Sequence, residues 1–260
     1  MSKIKIQVKA AEKVFVNNRG EKQQALAKVN LDVHEGEFIC LLGPSGCGKT
    51  TLLSMIAGFN EPTAGEINID GEKVTKPDPR HITIFQEYGL FPWRSVLDNV
   101  AFGLEAHGLS RAEREETAMH YIRLVGLEQF TRSHPQELSG GMKQRVALAR
   151  ALAVEPDIIF MDEPFGALDA MTRFKMQEEI VRIWQETGKT IIFVTHDIDE
   201  AVYLADRVVV MTPLPGKVQN IIPVPIGRQR DRTGLDFIRI RDRIFTEFAL
   251  KPDRNDDYVI

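Results

Sequence analysis

An α/β fold, built on a mainly parallel sheet with helices on both faces, is what this sequence predicts. Three observations carry that reading. The apolar runs at 38–42, 157–161, 191–195 and 208–211 are continuous rather than alternating, as suits strands covered on both sides. Stretches of helical periodicity separate these runs. Between the first run and the helix after it stands Gly43-Pro44-Ser45-Gly46-Cys47-Gly48-Lys49-Thr50. This is the P-loop pattern, a Gly, four free positions and Gly-Lys-Thr, in the strand–loop–helix context that defines it.

From the N-terminus, Ile4, Ile6 and Val8 open an alternating stretch, 4–16, that predicts an antiparallel edge strand before the turn residues 17–20. A second strand is expected over 27–33. Phe15, just before the turn, reads either as a core aromatic or as an exposed ring able to stack on a purine base. The P-loop helix is expected from Thr51 to Ala57, with Gly58 as its stop. Glycines let the backbone wrap a phosphate, and the free N–H groups of the helix start face the anion. Lys49 reaches toward β- and γ-phosphates, and Thr50 offers a hydroxyl to Mg²⁺. Ile67, Ile69 and Asp70-Gly71 predict a hairpin arm, and 81–85 a strand ending at Gln86.

Tyr88, Leu90, Phe91, Pro92 and Trp93 crowd a loop-like stretch, either as a docking surface or as a tucked cluster. Residues 98–154 read as mostly helical, with a capping-box pair at Ser110 and Glu113 and no strand signal before Asp157. They predict a helical insertion between core strands. Within it Ser139 caps a helix that opens on Gly140 and Gly141, a second anion site or a flexible helix start. Asp162 and Glu163 end the 157–161 strand, where α/β folds bind ligands. A turn at 166–169 leads into a long helix closed by Gly188, and the 191–195 strand ends in His196-Asp197. Asp197 and Glu200 repeat the capping-box spacing. After residue 212 come a strand, the basic stretch Arg228, Arg230 and Arg232, and a helix from Asp236 to Leu250. Loop arginines of this kind are expected to be solvated, with contact to a membrane protein or anionic lipid as the alternative.

Composition bounds the function. The chain has 260 residues, 43% apolar and 27% charged, enough for one large α/β domain. Its net charge of −4 argues against nucleic acid as the main partner. No run of eighteen apolar residues occurs, and 1–6 lack the apolar stretch of a signal peptide, so a cytoplasmic location is expected. Cys40 and Cys47, the two cysteines, are expected to be reduced.

The ordered set of P-loop, Gln86, Leu138-Ser139-Gly140-Gly141, Asp162-Glu163, Ala167-Leu168-Asp169 and His196 resembles the ATP-binding subunit of ABC transporters over about residues 4–215. The resemblance implies a P-loop NTPase (RecA-like) core with an antiparallel β arm and an inserted helical subdomain. It implies core segments 1–89 and 156–215, a helical subdomain 90–155 and a C-terminal extension 216–260 in one ATPase domain. ATP and Mg²⁺ are the implied cofactors. Gly43 to Thr50 and Thr51 would cradle the triphosphate, and Phe15 would stack on adenine. Thr50, Gln86 and Asp162 would serve the metal. Glu163 would act as general base, His196 would contact the γ-phosphate, and Gln86 would link the nucleotide to the helical lobe. Ser139, Gly140 and Gly141 would close over the nucleotide of a second, identical or paralogous ATPase subunit, with Asp169 at the seam.

Leu90-Phe91-Pro92-Trp93-Arg94, Asp162 to Asp169 and Thr195 to Ala201 look like the nitrate/sulfonate/taurine importer group. Met142, Phe15 and Gly166 depart from the commoner Gln, Tyr and Ser without removing a catalytic group. The implied function is an ATPase on the cytoplasmic face of the membrane that drives uptake of nitrate, bicarbonate, taurine or an alkanesulfonate. The alternatives are an importer ATPase for another solute, or an ABC ATPase outside transport. An integral membrane permease is the implied partner, contacted around Tyr88 to Trp93, with a solute-binding protein acting indirectly. About 45 residues beyond the core leave little room for an added regulatory domain.

Overall fold

The computed structural model describes residues 3–248, apart from 18, 86, 87, 107 and 167. The chain forms β1 (Ile4–Val16), β2 (Lys22–His34), β3 (Phe38–Leu42), α1 (Lys49–Ile56), β4 (Ala64–Ile69), β5 (Glu72–Lys73) and β6 (His81–Ile84). Three helices follow, α2 (Val96–Glu105), α3 (Arg111–Leu124) and α4 (Gly140–Ala153). Then come β7 (Ile158–Asp162), α5 (Ala170–Thr187), β8 (Thr190–Thr195), α6 (Ile198–Leu204), β9 (Arg207–Met211), β10 (Val218–Pro223) and α7 (Leu235–Glu247).

The apolar runs assemble into a six-stranded sheet of order β10-β9-β3-β8-β7-β6. All its pairs are parallel except β10 with β9. Successive side chains point to opposite faces, so β3 feeds two cores. Phe38, Cys40 and Leu42 join the core that the helical insertion, α5, α6 and α7 cover. Ile39 and Leu41 join the core beneath α1 and the antiparallel arm. The helices after adjacent strands β3 and β8, α1 and α6, therefore lie on opposite faces. That divergence opens a crevice at the carboxyl ends of the strands, where open α/β sheets bind ligands.

The arm is a second sheet of order β2-β1-β4-β5. The edge position expected for β1 is not what forms. Gln7 faces Asp32 of β2 on one side and Asn68 of β4 on the other, so β1 is interior. Alternation reports that one face of a strand is covered; it carries no information on how many neighbours the strand has. The hairpin between β4 and β5 does form. Asp70 and Gly71 both take positive φ, 51° and 82°, as the favoured two-residue hairpin turn requires. In the insertion, Ser110 and Glu113 make the full capping box of α3. The C-terminal helix is described to Glu247, and the end expected near Leu250 lies outside the described residues.

The basic stretch overturns its expectation of solvated arginines. Arg230 is 7% exposed. Its guanidinium donates to the carbonyls of Val202 (2.6 Å), Tyr203 (3.1 Å) and Ala205 (2.7 Å), and also to those of Val224 and Ile226. Arg228 donates to Leu204 O and Asp206 and lies 4.3 Å from the centroid of the Trp184 ring. The final turn of a helix leaves carbonyls without intrahelical partners and carries partial negative charge. Two arginines from a distant segment supply what α6 lacks there. Burial lowers the pKa of Arg230 to about 10, still far above neutral pH. Arg230→Met removes the donors and keeps the stem, so it should destabilise the fold by about 3 kcal/mol. Chemical denaturation would measure this, and a loss below about 1 kcal/mol would show that the carbonyls find water instead.

Candidate nucleotide site

Parallel register brings the separated motifs together. Leu42 of β3 lies opposite Thr195 of β8, and Asp162 of β7 lies opposite Val194. The residues that follow, Gly43, Glu163 and His196, therefore leave one edge of three adjacent strands.

The P-loop depends on two close approaches. A Cβ on Gly43 would lie 2.6 Å from Cys47 Sγ and 2.9 Å from Met211 O. Gly48 N-caps α1 at φ 93° without a side-chain cap, and a Cβ there would lie 2.6 Å from Leu26 Cδ2. The first turn of α1 holds no acidic side chain, so its N–H groups face outward with their positive dipole end uncompensated. Lys49 is 5% exposed, and its ammonium donates to Gly43 O (2.8 Å) and Pro44 O (3.0 Å), inside the loop. Cys40 and Cys47 are both free and buried, and burial raises the pKa of both thiols.

Thr50 Oγ1 donates to Asp162 Oδ1 at 3.1 Å. Burial raises the carboxyl pKa of Asp162, the Thr50 bond opposes that, and Glu163 next door raises it further. Among the described residues no group of three His, Cys, Asp or Glu could hold a metal alone. A hydroxyl and one carboxylate oxygen side by side fit Mg²⁺, which takes few protein oxygens and completes its shell with phosphate and water. Glu163 has φ 44°, a left-handed conformation uncommon outside glycine. Its Oε2 lies 3.1 Å from His196 Nδ1. Gln86 lies outside the described residues, as does Ala167 of the 166–169 turn.

The remaining expected residues stand at the starts of α4 and α5 and on β1. Ser139 caps α4 by accepting from Met142 N–H at 3.3 Å, and Ser139 and Gly140 are exposed. With Gly141, Ser139 lines a separate cleft alongside Thr172, Lys175 and Glu179. Gly141 also has a packing role, since a Cβ would lie 2.6 Å from Thr172 Cγ2 of α5. Asp169 caps α5 through Thr172 N–H, which lowers its pKa. Phe15 is 42% exposed on β1 and faces Gln23, three residues before the Leu26 that packs on Gly48.

The aromatic stretch divides between its two readings. Tyr88 and Leu90 pack against the core, and Arg150 secures the loop through Gly89 O and Tyr88 O. Trp93 is 72% exposed, 5.6 Å from Phe91, which in turn lies 4.5 Å from the exposed Phe102.

Several neighbours support the site. Gly216 bonds β2 at Ala25 O and Ala27 N, and a Cβ on it would lie 1.9 Å from Cys47 O, so it backs the P-loop. Arg173 reaches Asp197 and Leu168 O. Asp197 does cap α6 through Glu200 N–H, but Glu200 turns inward to Thr195 and Gln177 instead of closing a capping box. Spacing flags Asp197 and Glu200; nothing local points to Gln177 or Arg173.

The fold and the crevice define a P-loop nucleoside triphosphatase with an antiparallel arm and a helical insertion. Residues 26–166 match the family model described as ABC transporter, and the chain belongs to that family as an ATPase that hydrolyses ATP. An uncharacterized ABC transporter ATP-binding protein of Methanocaldococcus jannaschii is 51% identical, over 93% of this chain and 90% of the relative. A nitrate import ATP-binding protein, NrtD, of Synechococcus elongatus is 47% identical over 85% and 81%. A taurine import ATP-binding protein, TauB, of Roseobacter denitrificans is 50% identical over 80% and 78%. A bacterial ABC transporter cassette solved as a dimer superposes with a TM-score of 0.74 at 36% identity, over 85% of this chain and all of that one.

Proposed function

We propose that this chain is the ATPase subunit of an importer for a small anion such as nitrate, bicarbonate, taurine or an alkanesulfonate. The observation that carries the reading is the meeting of the P-loop, Asp162-Glu163 and His196 at one sheet edge, while the Ser139 helix start stays exposed elsewhere. The solute class is supported by likeness to nitrate and taurine import proteins. ATP enters the P-loop with its phosphates on the α1 N-terminus and Lys49, and its adenine stacks on Phe15. Thr50 and Asp162, with Gln86, would hold Mg²⁺, which neutralises phosphate charge when bound. Glu163 orients and deprotonates the attacking water, and its bond to His196 keeps the carboxylate aimed. Ser139 and Gly141 of a second subunit, joined head to tail, close over the γ-phosphate, with Asp169 at the seam. Fuel binding and association are thereby one event.

Among the described residues no helix is long and apolar enough to cross a membrane. Likeness to import ATP-binding proteins supports a separate integral permease as the translocating partner, with the chain at the cytoplasmic face. The exposed Trp93 and Phe102, with the half-buried Phe91 between them, form the surface for it. Tyr88 lies beside Gly140 at the start of α4, which joins that surface to the part of the protein that closes on the nucleotide. Within the single domain, residues 1–89 and 156–215 form the catalytic core, 90–155 the coupling lobe and 216–260 an extension.

Reconstitution with the co-purifying permease and its binding protein in vesicles tests the assignment. ATP turnover should rise about tenfold with one anion of this class and stay basal with polyamines or iron chelates. The reverse pattern would remove the solute class. In the same vesicles, Ala at both Phe91 and Trp93 should spare ATP binding and abolish the stimulation.

A further inference from the structure

Three polar residues buried behind the crevice are not themselves reacting groups. Gln177 is 1% exposed, Thr195 2% and Glu200 5%. An acid placed there is costly unless both oxygens are matched. The hydrogen bonds that match them form one continuous chain. Glu200 Oε2 accepts from Thr195 Oγ1, and Oε1 accepts from Gln177 Nε2 at 2.8 Å. Gln177 Oε1 in turn accepts from Arg232 Nη2. At the far end Thr195 Oγ1 accepts from the backbone N–H of Asp197 at 3.0 Å, which ties together the residues on either side of His196. His196 then meets Glu163 at 3.1 Å.

The chain has a direction. Donation by Arg232 polarises the Gln177 amide, so its NH₂ donates more strongly to Glu200. The Glu200 carboxylate sets the Thr195 hydroxyl rotor, and the rotor aims a lone pair at Asp197 N–H. Aromatic faces fix the origin of the chain, since the Arg232 guanidinium lies 3.8 Å from the Tyr203 ring centroid and 4.6 Å from that of Phe174. Arg173 braces the same loop, 3.8 Å from Asp197 Oδ2, with a bond to Leu168 O before the Asp169 cap. Burial raises the Glu200 carboxyl pKa and the two bonds it accepts oppose that, as expected of a group held in place by its neighbours. The P-loop helix lies on the other face of the sheet.

We propose that Gln177 and Glu200 are positioning residues for ATP hydrolysis, and that Arg232, from the segment after the core strands, sets through them the place of His196 against Glu163. The proposal rests on the roles given above to Glu163 and His196. It makes turnover depend on how the 228–232 segment is seated, although that segment touches no reacting atom.

The test uses the full-length chain and Mg·ATP, below the melting temperature of every variant. Arg232→Met, Gln177→Met and Glu200→Gln keep side-chain volume. Each should lower kcat about tenfold and leave KM for ATP within about twofold, because only the water-aiming groups shift. Arg232→Lys, which still donates, should recover most of the loss. The double variant at 177 and 232 should be no slower than the slower single one, since both break one path. A merely structural role would lower the melting temperature and leave kcat per folded molecule intact. Unchanged kcat at 177, 200 and 232, or losses that multiply in the double variant, would overturn the relay. Should Arg232→Met fail to fold, Gln177→Met reads the same link from the other side. Glu163→Gln separates the two failures: if it still hydrolyses ATP, the reading of the site fails, and if it does not while the relay variants match wild type, the relay alone fails.

Discussion

Glu163→Gln should lower ATP turnover by about three orders of magnitude, the range for loss of a general base, while ATP binds at least as tightly. The substitution is nearly isosteric and removes one negative charge beside the triphosphate, so binding loses a repulsion. The amide can still bond to His196, so the 3.1 Å contact need not break. It cannot take a proton from water. With chemistry stopped, ATP should hold two subunits together. Size-exclusion chromatography with Mg·ATP should then show a dimer that wild type forms only transiently. Turnover within tenfold of wild type would remove Glu163 from its role and move the base elsewhere in the crevice.

Ser139→Arg should have a similar effect through a different part of the molecule. Ser139 caps α4, and losing the cap costs about 1 kcal/mol, which the domain should survive. ATP binding should persist, because the P-loop of the same chain lies apart from the Ser139 cleft. Hydrolysis should fall at least about a hundredfold, since a bulky cation now occupies the surface proposed above to close over the partner's γ-phosphate. Mixing two inactive variants tests whether the site is shared between chains. Lys49→Ala lacks a working P-loop but keeps its own Ser139. An equal mixture of the two inactive variants should recover about a quarter of wild-type turnover, since half the dimers would contain one intact composite site. A mixture as inactive as its components, with dimers present, would mean that each chain completes its own site.

The sequence alone determined the sheet's buried strands, the P-loop and the helical insertion. It could do so because those signals are local: apolar runs, glycines at fixed spacing, caps three residues apart. Only tertiary structure decided that β1 is interior to the arm, because pairing partners are chosen by distant strands. Tertiary structure also turned three apparently solvated arginines into partners of α6 and Gln177, because a guanidinium leaves water only where the fold presents carbonyls and aromatic faces to receive it. Glu200 shows the division within one side chain. Its backbone N–H takes the Asp197 cap that the spacing announces, and its carboxylate goes instead to Thr195 and Gln177. A cap is closed by neighbours in the chain; a buried carboxylate must be matched by whatever the packed fold brings within reach.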